Sequence, residues 1–199
     1  MELSALTDAV LGRIFVELEA SARHVHITKS QALALFGHDL TEDRPLSQPG
    51  QFLARERVTV LGPKGEFRNV AVLGPARKEA QIELSLTDAR HLGLQPPVRP
   101  SGSVDGSPGA VVKGEKGSVE LQQGVIVAQR HLHLKPETAA RFGVKDKQTV
   151  SLQTFTDRPV LFQDVLVRVG DSFEDRVHLD LDEANACGLK KGDLGRIVL

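Results

Sequence analysis

The chain has 199 residues, a formal net charge of −1, 40% hydrophobic residues and 26% charged residues. These values are ordinary for a soluble globular protein that buries a real core. The near-zero charge, without any Lys/Arg-rich run, argues against a general nucleic-acid binder. No apolar run approaches the roughly 20 residues that span a bilayer, and the N-terminus lacks a signal-peptide pattern. We therefore expect a cytoplasmic protein.

The first elements are predicted from a change of hydrophobic period. Apolar residues at helical spacing predict a short N-terminal helix over residues 1–14, which could dock on the core or serve as a targeting tag. From Phe15 the pattern alternates, and "FVELEASARHVHI" is predicted as one strand with His24 and His26 on the same face. "TKSQALALFG" predicts a helix with a Thr28–Gln31 capping box that ends at Gly37.

The rest of the chain predicts more strands and a second half. "RVTVLGPKGEFRNVAVLG" and "AVVKGEKGSVEL" predict hairpins, and Pro136 predicts the start of a helix that ends near Phe142. Between the hairpins, "QPPVRPSGSVDGSPGA" has the composition of a linker. We place the first domain at residues 15–100, the linker at 101–110 and the second domain at 111–199, with strand exchange between the halves left open.

The two halves are similar in sequence. "RHVHITKSQALALFG" resembles "RHLHLKPETAARFG", and "IELSLTDARHLGL" aligns without gaps to "VHLDLDEANACGL". Such self-similarity indicates duplication of one small β-rich unit. We therefore predict a mainly β protein with short helices, built from two duplicated β-barrel domains with the active site between them.

The duplication draws attention to two His-x-His pairs. Strand residues i and i+2 point the same way, about 6–7 Å apart at the backbone, so His24 with His26 and His131 with His133 could each hold one metal ion. In the gapless alignment Glu83 falls opposite His178, and both residue types are metal ligands. The simplest interpretation is one ion at His24, His26 and Glu83, and another at His131, His133 and His178. Three ligands and an open position are typical of catalytic zinc, although other transition ions are compatible.

Other polar candidates have less specific surroundings. Arg77 and Lys78 follow a Gly-Pro turn before Glu83, and a planar guanidinium suits phosphate or carboxylate; a solvated surface charge is the alternative. Arg23 and Arg130 each precede a His pair, where they could orient neighbours or bind ligand. Cys187, the only cysteine, is predicted to be a small buried hydrophobe.

The sequence contains no nucleophile elbow, phosphate loop or dinucleotide fingerprint. Covalent catalysis is therefore poorly supported, and direct attack of one bound substrate on another is favoured.

Several ordered segments resemble a known family. "SARHVH", "LSQPGQF", "LGPARKEAQIELS", "GSPG", "QRHLHL" and "VHLDLDEAN" are similar to the PduL-type phosphate acyltransferases, also called phosphate propanoyltransferases. The resemblance runs from about residue 15 to the C-terminus. It implies two β-barrel domains capped by short helices, a two-zinc site, and interconversion of acyl-CoA and phosphate with acyl phosphate and CoA. It also implies a connection with propanediol degradation.

The resemblance also implies residue roles. The six ligands above would be the family's zinc ligands, and Arg77 would occupy its catalytic, phosphate-binding position. Positions along CoA would be Ser21, Ala22, Arg23, Arg44, Leu73 and Asn185. Arg44 replaces a usual Lys and keeps the charge, whereas Ala71 replaces a frequent Arg and removes one expected CoA contact.

The cellular partners and two alternative functions are left open by the sequence. Many family members carry an N-terminal extension that directs them into bacterial microcompartments, whereas only about fourteen residues precede the first predicted strand here, so microcompartment association is left open. Assembly into a homo-oligomer is also left open. A metal-dependent thioester or phosphoester hydrolase is the enzymatic alternative. A non-catalytic metal-stabilised binding module is the other.

Overall fold

A computed structural model describes residues 14–199 of the chain. The helix predicted over residues 1–14 lies, except for its last residue, outside this part. The described residues form fifteen strands and four short helices. The prediction of a mainly β protein with short helices is therefore confirmed.

The strands are β1 Val16–Ser21, β2 His24–His26, β3 Glu42–Pro45, β4 Phe52–Leu61, β5 Glu66–Gly74, β6 Gln81–Glu83, β7 Val98–Arg99, β8 Ala110–Lys113, β9 Ser118–Leu121, β10 Val125–Ala128, β11 His131–Leu134, β12 Thr149–Phe155, β13 Leu161–Val169, β14 Arg176–Asp180 and β15 Leu194–Val198. The helices are α1 Lys29–Phe36, α2 Leu86–Leu92, α3 Pro136–Phe142 and α4 Leu181–Cys187.

The chain divides into two compact units. The described residues up to Ser21, together with Gln129–Leu199, form one unit, which we call the barrel unit. Ala22–Ala128 form the other, which we call the sheet unit. Strand β1 thus belongs with the second half of the sequence, and strands β8 to β10 belong with the first half. Strands are exchanged between the two sequence halves.

The barrel unit is a closed six-stranded barrel in the order β1-β14-β11-β13-β12-β15. Its interior is filled by aliphatic side chains, among them the fully buried Leu132, Leu152 and Leu179. Strand β14 lies between β1 and β11, so His178 pairs with Glu19 on one side and with His131 on the other. The register therefore places two of the predicted ligands side by side.

The sheet unit holds a nine-stranded sheet in the order β7-β10-β6-β2-β5-β4-β8-β9, with β3 paired to β4. The three residues of β2 are fully enclosed between β5 and β6, where His24 pairs with Glu83 and His26 with Gln81. Val25 and Ile82, on the other face of these strands, are completely buried in the core. Burial of the alternate residues thus fixes which side chains share the polar face.

The single strand predicted from Phe15 through the first histidine pair is wrong. Strand β1 ends at Ser21 and β2 begins at His24, and the chain passes from one unit to the other at this break. The alternating segment that leads into the second histidine pair is broken in the same way, because Gln129 and Arg130 separate β10 from β11. Alternation continues through both breaks in the sequence, so a period of two residues could not reveal them.

The residues at the helix ends predict the helices better than alternation predicts the strands. The Thr28 hydroxyl accepts from the Gln31 N–H at 3.2 Å and the Gln31 amide oxygen accepts from the Thr28 N–H at 2.8 Å. This confirms the capping box, and Gly37 ends α1 with a positive φ of 81°. The helix beginning at Pro136 and both hairpins are also confirmed. Cys187 is fully buried, as predicted.

Two hairpin turns of the sheet unit hold the ends of its helices. In the turn Gly62-Pro63-Lys64-Gly65, the backbone N–H of the lysine donates to the Leu92 carbonyl at 3.0 Å. In the turn Gly114-Glu115-Lys116-Gly117, the backbone N–H of the lysine donates to the Leu35 carbonyl at 2.9 Å. A Cβ atom at either first glycine would lie 2.4 Å from the same carbonyl oxygen. Glycine therefore permits the close approach that satisfies the last turns of α2 and α1.

Within residues 14–199, no helix combines the length and the apolar character that crossing a membrane requires.

Candidate active site

The first predicted ligand group is assembled in the sheet unit. His24, His26 and Glu83 lie together with their ligand atoms within 4.8 Å of one another, and all three are buried. The two imidazole Nε2 atoms are 3.1 Å apart. The Glu83 Oε1 lies 3.6 Å from Nε2 of His24 and 3.9 Å from Nε2 of His26. Antiparallel pairing of β2 with β6 produces this convergence.

The second predicted group is assembled in the barrel unit by the same logic. His131, His133 and His178 lie within the same 4.8 Å limit, and Nε2 of His131 is 3.2 Å from Nδ1 of His178. The His133 ring stacks on Phe173 with centroids 4.3 Å apart. Both ring nitrogens of His133 are buried without a hydrogen-bond partner. Because a buried imidazole without any partner is costly, the nitrogens of His133 are available to bind a metal ion.

The first histidine of each pair is oriented by the backbone. The His24 Nδ1–H donates to the Ala22 carbonyl at 2.8 Å, and the His131 Nδ1–H donates to the Gln129 carbonyl at 2.8 Å. A carbonyl only accepts, so the proton lies on Nδ1 and the Nε2 lone pair is directed at the group. Such an outer hydrogen bond to a carbonyl is what metal-bound histidines usually make. The two breaks before the histidine pairs supply these carbonyls.

The donor atoms fit a small tetrahedral ion. Metal–ligand distances of about 2.0–2.2 Å place neighbouring tetrahedral ligands roughly 3.3–3.6 Å apart. The separations of 3.1, 3.6 and 3.9 Å in the first group bracket this range, and the 3.2 Å separation in the second lies just below it. Nitrogen and carboxylate ligands suit zinc and similar ions. Each group could hold one metal ion and leave a position open.

Burial and charge also tune the ligands. Burial, together with the nearby His24 and Arg77, lowers the pKa of His26 to about 2. Burial and the two neighbouring histidines lower the pKa of His133 to about 2. Burial by itself would raise the pKa of Glu83, but His24 and His26 hold it well below its usual range. His26 and His133 are therefore neutral and Glu83 is ionised, which are the states in which these three groups ligate a metal.

Arg77 lies close to the first ligand group. Its backbone N–H donates to the Ile27 carbonyl at 2.8 Å, directly after the second histidine. Its positive charge is near enough to lower the pKa of His26, and it opposes the rise in the pKa of His24 that Glu83 causes. The backbone bond therefore holds Arg77 next to the end of the strand that carries the first histidine pair, and its role toward phosphate stays a prediction.

The arginine before each histidine pair bonds to an acidic residue on a helix of its own unit. Arg23 donates to Asp88 through Nε at 2.9 Å and Nη2 at 2.8 Å. Arg130 donates to Glu183 at 2.7 Å. Asp88 and Glu183 occupy equivalent positions of the gapless repeat. Each ion pair ties a histidine pair to the helix that follows the third ligand.

The positions predicted along CoA are distributed over both units. Arg44 on β3 and Leu73 on β5 each pair with Leu53 of the intervening strand β4, so the structure places them on opposite sides of one residue of β4. Ala22, next to Arg23, is exposed. Ser21 ends β1 and the exposed Asn185 lies on α4, and both belong to the barrel unit.

Sequence reasoning missed several residues that contact the ligands. Gln81 and Ser101 donate to Glu83 Oε1 at 2.5 and 2.8 Å, and the Glu19 carboxylate lies 3.6 Å from His178 Nε2. Gln81 is two residues before Glu83, so the argument that found the histidine pairs could have found it. Ser101 lies in the linker-like segment and carries no such signal.

Fold and ligand groups define a mainly β protein with two groups able to hold metal. The phosphate propanoyltransferase family profile matches residues 17–190. The chain is 53% identical over 182 residues to a phosphate propanoyltransferase of Leptotrichia buccalis, covering 90% of this chain and 86% of that protein. It is 45% identical over 202 residues to that of Clostridioides difficile, covering 98% and 97%. The Thermotoga maritima protein of the same name is 49% identical over 181 residues, covering 89% and 86%.

These matches span nearly the whole chain at high identity. The chain belongs to the phosphate propanoyltransferase family. It is accordingly an acyltransferase that acts with phosphate, and the resemblance inferred from the sequence motifs is confirmed.

Proposed function

We propose that the chain interconverts a short-chain acyl-CoA and phosphate with acyl phosphate and free CoA at a dizinc site. His24, His26 and Glu83 would hold one zinc ion, and His131, His133 and His178 would hold the other. The observation that carries the proposal is the pair of buried three-ligand groups at equivalent points of the duplication. Family membership supports the reaction class.

The bound zinc ions would supply positive charge that polarises the thioester carbonyl and stabilises developing negative charge. The chain's own residues position the reactants. The Arg77 guanidinium, beside the first ligand group, binds phosphate through paired N–H groups and directs one oxygen at the thioester carbon. That oxygen forms the new C–O bond, the C–S bond breaks, and the electron pair leaves with the CoA sulfur.

CoA would be held by the positions that the family motifs single out. The exposed Arg44 carries a guanidinium suited to a CoA phosphate, and Leu73 offers an apolar contact two strands away in the same sheet. Ser21, Ala22, Arg23 and Asn185 complete the proposed contacts. Because Asp88 already binds two nitrogens of Arg23, we assign Arg23 chiefly to holding the backbone that CoA approaches.

The direct test is an assay of CoA release from acetyl-, propanoyl- and lactoyl-CoA with and without phosphate. We expect release that depends on phosphate and reverses when acyl phosphate and CoA are supplied. Release at the same rate without phosphate would identify a hydrolase and would overturn the proposal. Comparing the three acyl-CoA substrates also identifies the preferred acyl group, because each methylene changes selectivity by about 1–3 kcal/mol.

A further inference from the structure

The Glu83 carboxylate is held by two polar side chains outside the ligand set. The Gln81 amide donates to Oε1 at 2.5 Å, and the Ser101 hydroxyl donates to the same oxygen at 2.8 Å. The Gln81 amide also donates to the Ser101 oxygen at 2.9 Å. The three residues therefore form a closed triangle of hydrogen bonds around one carboxylate oxygen.

The triangle is anchored to the backbone of a loop. The Gln81 side-chain oxygen accepts from the Gly102 N–H at 2.7 Å, so both ends of the Gln81 amide are used. Gln81 is 2% exposed and cannot exchange these partners for bulk water. The amide orientation follows, because the oxygen must face the N–H of Gly102 and the nitrogen must face the carboxylate.

Ser101 brings the linker-like segment to the ligand group. It follows strand β7, which pairs with β10 in the sheet unit. The same segment is fastened further along, where the Ser107 hydroxyl donates to the Val104 carbonyl at 2.7 Å and accepts from the Gly124 N–H at 2.9 Å. A segment with the composition of a passive connection is thus a fixed loop whose first residue contacts a candidate metal ligand.

The geometry points to Ser101 and Gln81 as positioning residues that orient Glu83 for metal binding, an inference that rests on the proposed function. A glutamate has three side-chain torsions, and without these bonds its carboxylate would adopt several orientations relative to His24 and His26. Hydrogen bonds that fix a ligating carboxylate increase metal affinity, and losing one typically costs about 10- to 100-fold.

The test is metal affinity in the full-length protein. Apo protein is titrated with zinc in competition with a chromophoric chelator, and the two dissociation constants are measured for the wild type and for Ser101→Ala. Glu83→Gln identifies which constant belongs to the first group. We expect Ser101→Ala to weaken that constant by about 10- to 100-fold and to leave the other unchanged.

Three controls separate positioning from general stability. Ser101→Thr keeps the hydroxyl and should retain most of the affinity. Ser103→Ala removes an exposed hydroxyl from the same loop and should change nothing. Cobalt(II) absorption should show an altered ligand field in Ser101→Ala at the first group only.

Two outcomes would overturn the inference. One is unchanged affinity at the first group in Ser101→Ala. The other is an equal weakening at both groups together with a lower melting temperature, which would indicate a merely structural role. A wild-type chain that binds no zinc would instead contradict the proposed function, so the two failures are distinguishable.

Discussion

Arg23 and Asp88 form a two-point ion pair, with Nε and Nη2 of the guanidinium bonded to separate carboxylate oxygens at 2.9 and 2.8 Å. The guanidinium also lies 4.3 Å from the Phe67 ring centroid. Since Arg130 and Glu183 form the equivalent pair in the barrel unit, the arginine before each histidine pair has the same structural partner. The duplication thus preserved the support of the ligands together with the histidines themselves.

Arg23→Met should destabilise the chain, because it leaves the nearly buried Asp88 carboxylate without its charged partner. The Arg23 side chain is 35% exposed, so we expect a moderate loss of roughly 1–2 kcal/mol in the free energy of unfolding. Urea denaturation measures it. The matched control is Arg68→Met, which breaks the exposed Arg68–Glu66 pair and should cost no more than about 0.5 kcal/mol. Equal losses in both variants would contradict the role given to the Arg23 pair.

Arg77→Ala should raise the phosphate KM and lower kcat, because hydrogen bonds to a charged group contribute about 1.5–3 kcal/mol. We expect kcat/KM for phosphate to fall by about 10- to 100-fold, while the KM for acyl-CoA changes little. Arg77→Lys should restore part of the loss, since an ammonium keeps the charge but not the planar fork.

The control for Arg77 is the exposed neighbour Lys78. Steady-state kinetics of Lys78→Ala should match the wild type at saturating acyl-CoA. A phosphate KM unchanged in Arg77→Ala, or raised equally in Lys78→Ala, would remove Arg77 from the phosphate site.

Asp175→Ala should destabilise the barrel unit. Helix α3 begins after Lys135, which provides no side-chain cap. Asp175 performs this role, since it accepts from the Lys135 N–H at 2.8 Å and from the Thr138 hydroxyl at 2.7 Å. Loss of a helix cap costs about 1 kcal/mol, and up to roughly 2. Chemical denaturation should show that loss for Asp175→Ala, whereas the exposed Asp171→Ala should be neutral; a neutral Asp175→Ala would refute the capping role.

Gly114→Ala should destabilise the sheet unit, because the added Cβ would lie 2.4 Å from the Leu35 carbonyl oxygen. Relieving such an overlap moves the turn away from α1 and costs typically about 1–3 kcal/mol. Thermal unfolding of Gly114→Ala can be compared with that of Glu115→Ala, an exposed change in the same turn. Similar melting temperatures for the two variants would mean that the turn adapts freely.

Local signals in the sequence predicted the elements and the ligand groups well. The capping box of α1, the proline at the start of α3 and the glycine that ends α1 act through near neighbours in the chain, so the sequence alone specifies them. The His-x-His spacing and the gapless repeat identified six residues that the structure brings together in two groups. Both signals are local or internal to the sequence.

Features that depend on long-range packing were not predictable in this way. The passage of the chain between units at Ala22 and Arg23 interrupts no hydrophobic pattern. Asp175 caps its helix through Lys135, 40 residues earlier in the chain, and Ser101 meets Glu83 only because β7 joins the sheet. Asp88 and Glu183 are an intermediate case. The repeat alignment places them at equivalent positions, but their spacing in the sequence does not indicate that they bind the two arginines.

The measurement that tests the central claim most directly is elemental analysis of purified, fully active protein, with activity followed during chelation. The account predicts two zinc ions per chain, one of them lost in Glu83→Gln and the other in His133→Ala, and activity that falls as metal is removed and returns when it is restored. Full phosphate-dependent activity in protein without bound metal would contradict it.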